Sequence, residues 1–375
     1  MSVESITSVA IIILGIQTLL LIGLTLQKRS QNVSYSYLAL VLFFFLLTLV
    51  NYGIYYILVT AGQISWIPFL QLEILFGFGP SIYLYTKSLT DATFKFRKRD
   101  WLHFALPALE FVYYRTTLFR DGAIGLSETS VNGLNLLYKT VQWGGLLSVV
   151  CYLLLSAYLL AAYRRWLKSH YSNLENRELS WLRKPIVIYA LFCVVWIPIR
   201  IVDIVAFEES LRPYYFNLGF LGLAATTCWI GFKGYLTAST KTEGFLQSPT
   251  TKSPEPESAK LAETANRLQE AMEENQYYLD SDLTLAAFSN ATGYGQKEIS
   301  KALNSTLQLN FHEFVNGYRI ETFKRNLELS EFSHLSLLGV ALESGFGSKS
   351  TFNLVFKANT GLTPKKYKDQ LEKKS

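Results

Sequence analysis

The chain carries seven long apolar runs: Ile6 to Leu26, Tyr35 to Val59, Trp66 to Leu89, Trp101 to Leu118, Leu134 to Ala162, Pro185 to Phe207 and Tyr214 to Leu236. An α-helix needs about 20 such residues to cross the ~30 Å hydrocarbon layer of a bilayer. Six runs meet that length, while the fourth has 18 residues and contains His103, Pro107 and Glu110. The runs predict a bundle of seven transmembrane helices over residues 1–239 and exclude a purely soluble protein. The first run has no basic residues before it and two, Lys28 and Arg29, behind it. It therefore reads as a retained helix rather than a cleaved signal peptide.

Basic residues orient such a bundle, because cytoplasmic loops retain Lys and Arg. Lys28 and Arg29 follow the first run. Lys87, Lys95, Arg97, Lys98 and Arg99 surround the third-to-fourth connection, and Arg164, Arg165, Lys168, Arg177, Arg183 and Lys184 lie between the fifth and sixth runs. The alternate connections carry only Arg115, Arg120, Lys139 and Arg212. Thirteen cations against four place the N-terminus outside and the C-terminus in the cytoplasm. That alternation depends on the fourth run crossing.

The chain-wide net charge of +6 is an average over unlike halves. Residues 1–239 hold 19 Lys/Arg and 12 Asp/Glu, whereas 240–375 hold 16 and 17, so the excess belongs to the apolar part and is no nucleic-acid footprint. Cys151, Cys193 and Cys228 sit in apolar stretches with no CxxC spacing, and read as small buried hydrophobes. His103, His170, His312 and His334 are scattered, so no metal site is expected. No HExxH and no nucleophile–base constellation appears; the chain reads as a non-enzyme without a cofactor. Trp66, Trp101, Trp143 and Trp229 fit interfacial aromatic belts.

Four ionisable residues, Glu73, Glu110, Arg200 and Asp203, fall in the outer half of the seven-span arrangement. Charges in a membrane are costly and face a bundle interior or a polar cavity. Arg200 and Asp203, three apart, share a helix face and neutralise one another. Two readings stay open: an outward-facing pocket for an unknown small ligand, or structural ion pairing and snorkelling near the interface.

Composition changes abruptly after Leu236. Residues 240–258 form a Pro-, Ser- and Thr-rich linker, and 259–375 are of a size for an independent soluble domain. That domain reads as all-helical. Leu261, Ala265, Leu268 and Met272 line one face of an acidic leading helix. An internal repeat follows: LTLAAFSNATGYGQKEISKALNSTLQLNFHEF at 283–314 aligns with LSLLGVALESGFGSKSTFNLVFKANTGLTPKKY at 335–367. Thr284 matches Ser336 as N-cap, Gly293 matches Gly345 at the turn, and Ile299 and Leu303 match Phe352 and Phe356 as core residues. Each copy predicts a helix-turn-helix unit, with residues 310–329 forming a joining helix through Phe311, Phe314, Val315, Tyr318, Phe323 and Leu327. From residue 290 onward there are 12 basic and 8 acidic residues, against 2 and 8 over 255–289, as expected for a DNA-facing surface with an acidic back.

The motif order resembles the AraC/XylS family of transcription regulators, over about residues 260–370. GFGSKSTFNLVFKANTGLTPKKY carries most of the likeness, supported by LTLAAFSNATGY and NFHEFVNGYRIE. Joined to a multi-span region, it looks like a membrane-anchored subset of that family. Lys301, Leu303 and Ser289 depart from its usual Arg, aromatic and small apolar residues. The resemblance implies binding of double-stranded DNA, with each second helix in a major groove. By position, Gln296, Lys297, Ser300 and Lys301 would present the first such helix, and Ser348, Lys349, Ser350, Asn353 and Lys357 the second. Lys365, Lys366 and Lys368 fit either phosphate contacts or a solvated face. The expectation is a regulator in the bacterial cytoplasmic membrane, acting as a homodimer, that couples an external or membrane signal to gene expression. The alternative is a membrane transporter or receptor whose helical tail is a protein-interaction module.

Overall fold

The computed structural model describes residues 3–54, 71–91, 94–118, 128–175, 177–207, 212–237 and 258–372, and these residues are mostly helical with no strand among them. The linker expected at 240–258 lies outside them except for Ser258. The chain divides into two compact units. One comprises Met1–Ala161 with Leu179–Gln247; the other comprises Ala162–Glu178 with Ser248–Ser375.

In the first unit, α1 spans Val3–Gln27, α2 Ser34–Ile54, α3 Leu75–Thr90, α4 Ala105–Tyr113, α6 Ser180–Ala206 and α7 Arg212–Thr237, and α5, Glu128–His170, runs on from Ala162 into the second. Helix α2 sits at the centre of a packed set, touching α1, α3 and α7. Its Leu38, Leu42, Phe45 and Leu49 are buried. The α2–α3 approach is close enough that a Cβ on Gly77 would overlap the Phe44 ring, so glycine is required by packing there. Buried hydroxyls return their protons to the helix itself: Ser81 to the Phe78 carbonyl at 2.7 Å and Thr86 to Ile82 at 2.9 Å. No polar group need then be offered to lipid.

Four helical stretches among the described residues are long and apolar enough to cross a membrane: Ala10–Gln27, Ser34–Asn51, Leu136–His170 and Ser180–Ala206. Three of them turn large apolar side chains outward, including Ile13, Ile16 and Leu20, then Leu147 and Leu154, then Val194, Val195 and Val205. Such faces are stable against hydrocarbon and costly against water.

Seven continuous spans were expected, and among the described residues four stretches qualify. The fourth run breaks into a 3-10 turn at Lys98–Phe104, the nine-residue α4 and a π turn at Tyr114–Leu118. Asp100 starts the break by accepting the Arg97 backbone N–H at 2.7 Å, a local alternative to a straight helix. The third run yields a 16-residue helix, with residues 66–70 outside the described set. Helix α7 has a span's length, but part of its side chains lie outside the described set.

The second unit contains α8 (Ser258–Asn275), α9 (Leu285–Thr292), α10 (Gln296–Ala302), α11 (Phe311–Glu328), α12 (Leu337–Glu343), α13 (Lys349–Thr360) and α14 (Pro364–Glu372). Its apolar residues form two clusters. Leu261, Ala265, Leu268 and Met272 of α8 join Phe288, Ile299, Leu303, Phe311 and Phe314 in one. Ile320, Phe323, Val340, Phe346, Phe352 and Phe356 make the other. Helix α11 supplies both, its first half to one cluster and its second to the next, so the joining helix is the shared wall of two small cores. Burying each such aromatic or aliphatic side chain contributes about 1.5–3 kcal/mol.

Candidate nucleic-acid interface

Two helix pairs, α9–α10 and α12–α13, are built by the same local devices. The Thr284 hydroxyl accepts the Ala287 N–H at 3.1 Å, and the Ser336 hydroxyl accepts the Gly339 N–H at 3.1 Å. Each satisfies one of the N–H groups that a helix start leaves free. Gly293 closes α9 at φ 78°, and Gly345 follows α12 at φ 90°. At Gly345 a side chain is excluded twice, because a Cβ would also run into the Tyr278 carbonyl oxygen. Asn310 and Glu313 form a reciprocal capping box at the start of α11.

The second helix of each pair presents a polar outer face. On α10, Gln296 and Lys297 are exposed and Ser300 and Lys301 half-buried, while Ile299, Ala302 and Leu303 are buried behind them. The outer four follow an i, i+1, i+4, i+5 spacing and so share one side. On α13, Lys349, Ser350, Asn353 and Lys357 are exposed, and Phe352, Val355 and Phe356 are buried. Helix α13 has no acidic residue. Ser348 is half-buried and serves as the α13 N-cap, accepting the Thr351 N–H at 3.3 Å. Its hydroxyl is thereby committed to the helix start. Ser289 is tied inward too, donating to the Tyr294 carbonyl at 2.6 Å across the first turn.

Residues 288–370 match the family model of a helix-turn-helix domain. Over 91 residues the chain is 33% identical to an HTH-type transcriptional regulator of Staphylococcus aureus strain COL, and 32% identical to one of strain MSSA476. In both cases the similarity covers 24% of this chain and 12% of the relative, so most of each relative has no counterpart here. No solved structure matches. The matched segment of the helix-turn-helix domain holds both helix pairs except the first turn of α9, together with all of α10 to α13.

The domain also contains a buried polar seam along α11 that sequence reasoning did not find. His312, Asn316 and Arg319, at i, i+4 and i+7, are all buried. Arg319 is fully enclosed and donates to the Tyr278 carbonyl at 2.8 Å, the Asp280 carbonyl at 2.7 Å and Asn316 Oδ1 at 3.1 Å. Burial pushes its pKa down to about 10, with Asp280 and Asp282 opposing that shift, and the side chain remains a cation at neutral pH. An Arg within an apolar stripe was the one available signal.

The four ionisable residues of the other unit fall into two pairs. Glu110 accepts the backbone N–H groups of Leu75 at 3.1 Å and Phe76 at 2.9 Å, and the Tyr114 hydroxyl at 3.1 Å. It therefore satisfies the start of α3, where a negative charge is favoured by the helix end. Glu73, half-buried, lies within electrostatic reach of Glu110. Arg200 and Asp203 form an ion pair at 3.5 Å on α6, with Asp203 fully buried.

Proposed function

We propose that this chain is a membrane-bound, sequence-specific DNA-binding regulator of transcription. The single observation that carries the reading is the pair of exposed polar faces on α10 and α13, each backed by its own small core within a segment similar to helix-turn-helix domains. In this reading α10 and α13 each enter a major groove. Gln296 and Asn353 read adenine, Lys297, Lys301, Lys349 and Lys357 reach guanine or phosphate, and Ser300 and Ser350 bind the backbone. Ser348 holds the start of α13 in position, and Lys365, Lys366 and Lys368 add phosphate contacts.

The apolar helices anchor the protein in the bacterial cytoplasmic membrane. In this reading α7, 26 residues long, is a further crossing, which leaves the cation-rich α5–α6 connection and the helix-turn-helix domain together on the cytoplasmic side, where DNA is. Glu73, Glu110, Arg200 and Asp203 are proposed to line a small-ligand site in the outer half, and a homodimer would present paired domains to an operator.

The purified full chain should retard labelled fragments of its own genome with an affinity that falls steeply with salt, and Lys349→Ala should weaken it. Failure of the folded protein to retain any fragment would favour an interaction module instead.

A further inference from the structure

We propose that residues 171–175 with Arg177, in the connection between α5 and α6, form a strap that docks across both helix pairs and holds the domain in a state of low DNA affinity. The proposal rests on the DNA-binding reading above and adds the route by which the membrane helices control it.

The strap begins as an added strand-like contact. Tyr171 bridges Thr284 in antiparallel fashion, and the Ser172 N–H donates to the Leu283 carbonyl at 3.2 Å. Ser172 is fully buried and every polar group on it is taken. Its hydroxyl donates to the Leu283 carbonyl at 2.7 Å and accepts from an Arg319 guanidinium nitrogen at 3.0 Å. Its carbonyl accepts from His312 Nδ1 at 2.7 Å and Asn316 Nδ2 at 2.9 Å. The buried polar seam of α11 is thus completed by a residue that reaches it from about 140 positions earlier in the chain. Without the strap, those donors would lose a buried partner, and leaving such groups unsatisfied is costly.

The same strap reaches the second helix pair more lightly. Asn173 Oδ1 and Glu175 Oε2 each stand 3.5 Å from the Thr351 hydroxyl, in the first turn of α13. Asn173 Nδ2 lies 3.0 Å from the position a Cβ would occupy on Gly347, so the strap presses against the turn between α12 and α13. Arg177 folds back on the strap, donating to the Asn173 carbonyl at 3.2 Å and covering the Tyr171 ring at 4.6 Å. Outer ion pairs, Arg177 with Asp282 at 3.6 Å and Lys168 with Glu313 at 3.8 Å, are partly exposed and contribute little.

These magnitudes decide which contact moves. The Ser172 anchor is buried and multiply bonded, while the Asn173 and Glu175 contacts are long and half-exposed. Strap and first helix pair therefore stay together, and the contact with α13 is the one that opens. While closed, it puts the Glu175 carboxylate beside the first turn of the helix proposed to read DNA. A negative charge is welcome at a helix start but repels an approaching phosphate. Because the strap is covalently continuous with α5 and α6, a change in those helices acts on α13 directly.

The test uses the full chain in lipid nanodiscs, with Cys151, Cys193 and Cys228 replaced by Ser and the pair Asn173→Cys and Gly347→Cys introduced. The probe is labelled, sheared DNA of the protein's own genome. Oxidation should join the two cysteines and lower DNA affinity about 5- to 150-fold relative to the same protein after reduction. Separately, Glu175→Gln in the uncrosslinked chain should raise affinity severalfold. Failure of the disulfide to form, equal affinity before and after reduction, or no change with Glu175→Gln overturns the strap. If no form of the protein retains DNA, the DNA-binding reading falls as well, which distinguishes the two failures.

Discussion

Arg319 donates a hydrogen bond to Ser172 Oγ at 3.0 Å across 147 positions of sequence. Its other hydrogen-bond partners are two backbone carbonyls and an amide oxygen, so this buried cation is held by neutral oxygens. Replacing it with Met keeps the bulk but leaves those oxygens without a donor. The expected loss is about 4 kcal/mol or more, the low end of four unsatisfied buried acceptors at ~1–3 kcal/mol each. Pulse proteolysis of the full chain across a urea series measures it, and a loss under about 0.5 kcal/mol, the level of an ordinary surface change, would show that water replaces the guanidinium at no cost.

Phe352 and Lys349 are three apart on α13 but differ in burial. Phe352 packs on Phe323 at a ring separation of 4.6 Å, and Lys349 is exposed. Phe352→Ala should cost about 3–5 kcal/mol of stability. Lys349→Ala should change stability by no more than about 0.5 kcal/mol while weakening DNA binding. Thermal melts run beside gel retardation separate the two effects.

Base reading and phosphate binding predict different signatures. Asn353→Ala should cost about 1–3 kcal/mol at one operator position and relax the preference there. Lys366→Ala should weaken all sequences about equally and reduce the salt slope by about one. Binding to a randomised duplex library at two salt concentrations reads both.

His312 makes the domain sensitive to acid. Burial pulls its imidazole below the ordinary histidine value, and the Ser172 carbonyl and Glu313 oppose that while Lys168 and Arg319 reinforce it. Its folded pKa therefore lies under its unfolded value, so the unfolded chain takes up a proton first as pH falls. The stability it supports is complete above about pH 6.5 and declines below it. The domain's melting temperature should drop between about pH 7 and about pH 5.5, and His312→Asn should flatten that portion of the curve.

What could be read from the residues alone was whatever is decided locally. The caps Thr284 and Ser336, the turn residues Gly293 and Gly345, and the inward positions Ile299, Leu303, Phe352 and Phe356 depend on neighbours within a few positions, and each stands as expected. The seam of His312, Asn316 and Arg319 was not legible, because its partner Ser172 lies in a stretch whose cations marked it only as a connection. Apolar averages also predicted more continuous spans than the described residues contain. They register how greasy a run is, and not that Asp100 captures the Arg97 N–H and starts a 3-10 turn, or that Glu110 turns from a span's interior to cap α3.

The central claim is that the outer faces of α10 and α13 bind chosen sites on the chromosome from a membrane-anchored protein. Crosslinking in living cells, recovery of the protein from the membrane fraction and sequencing of the attached DNA tests it most directly. Discrete genomic sites should be enriched with the wild-type chain and lost with the Lys349→Ala, Asn353→Ala double variant at equal protein level. The same DNA recovered with both proteins, or none with either, would contradict the account.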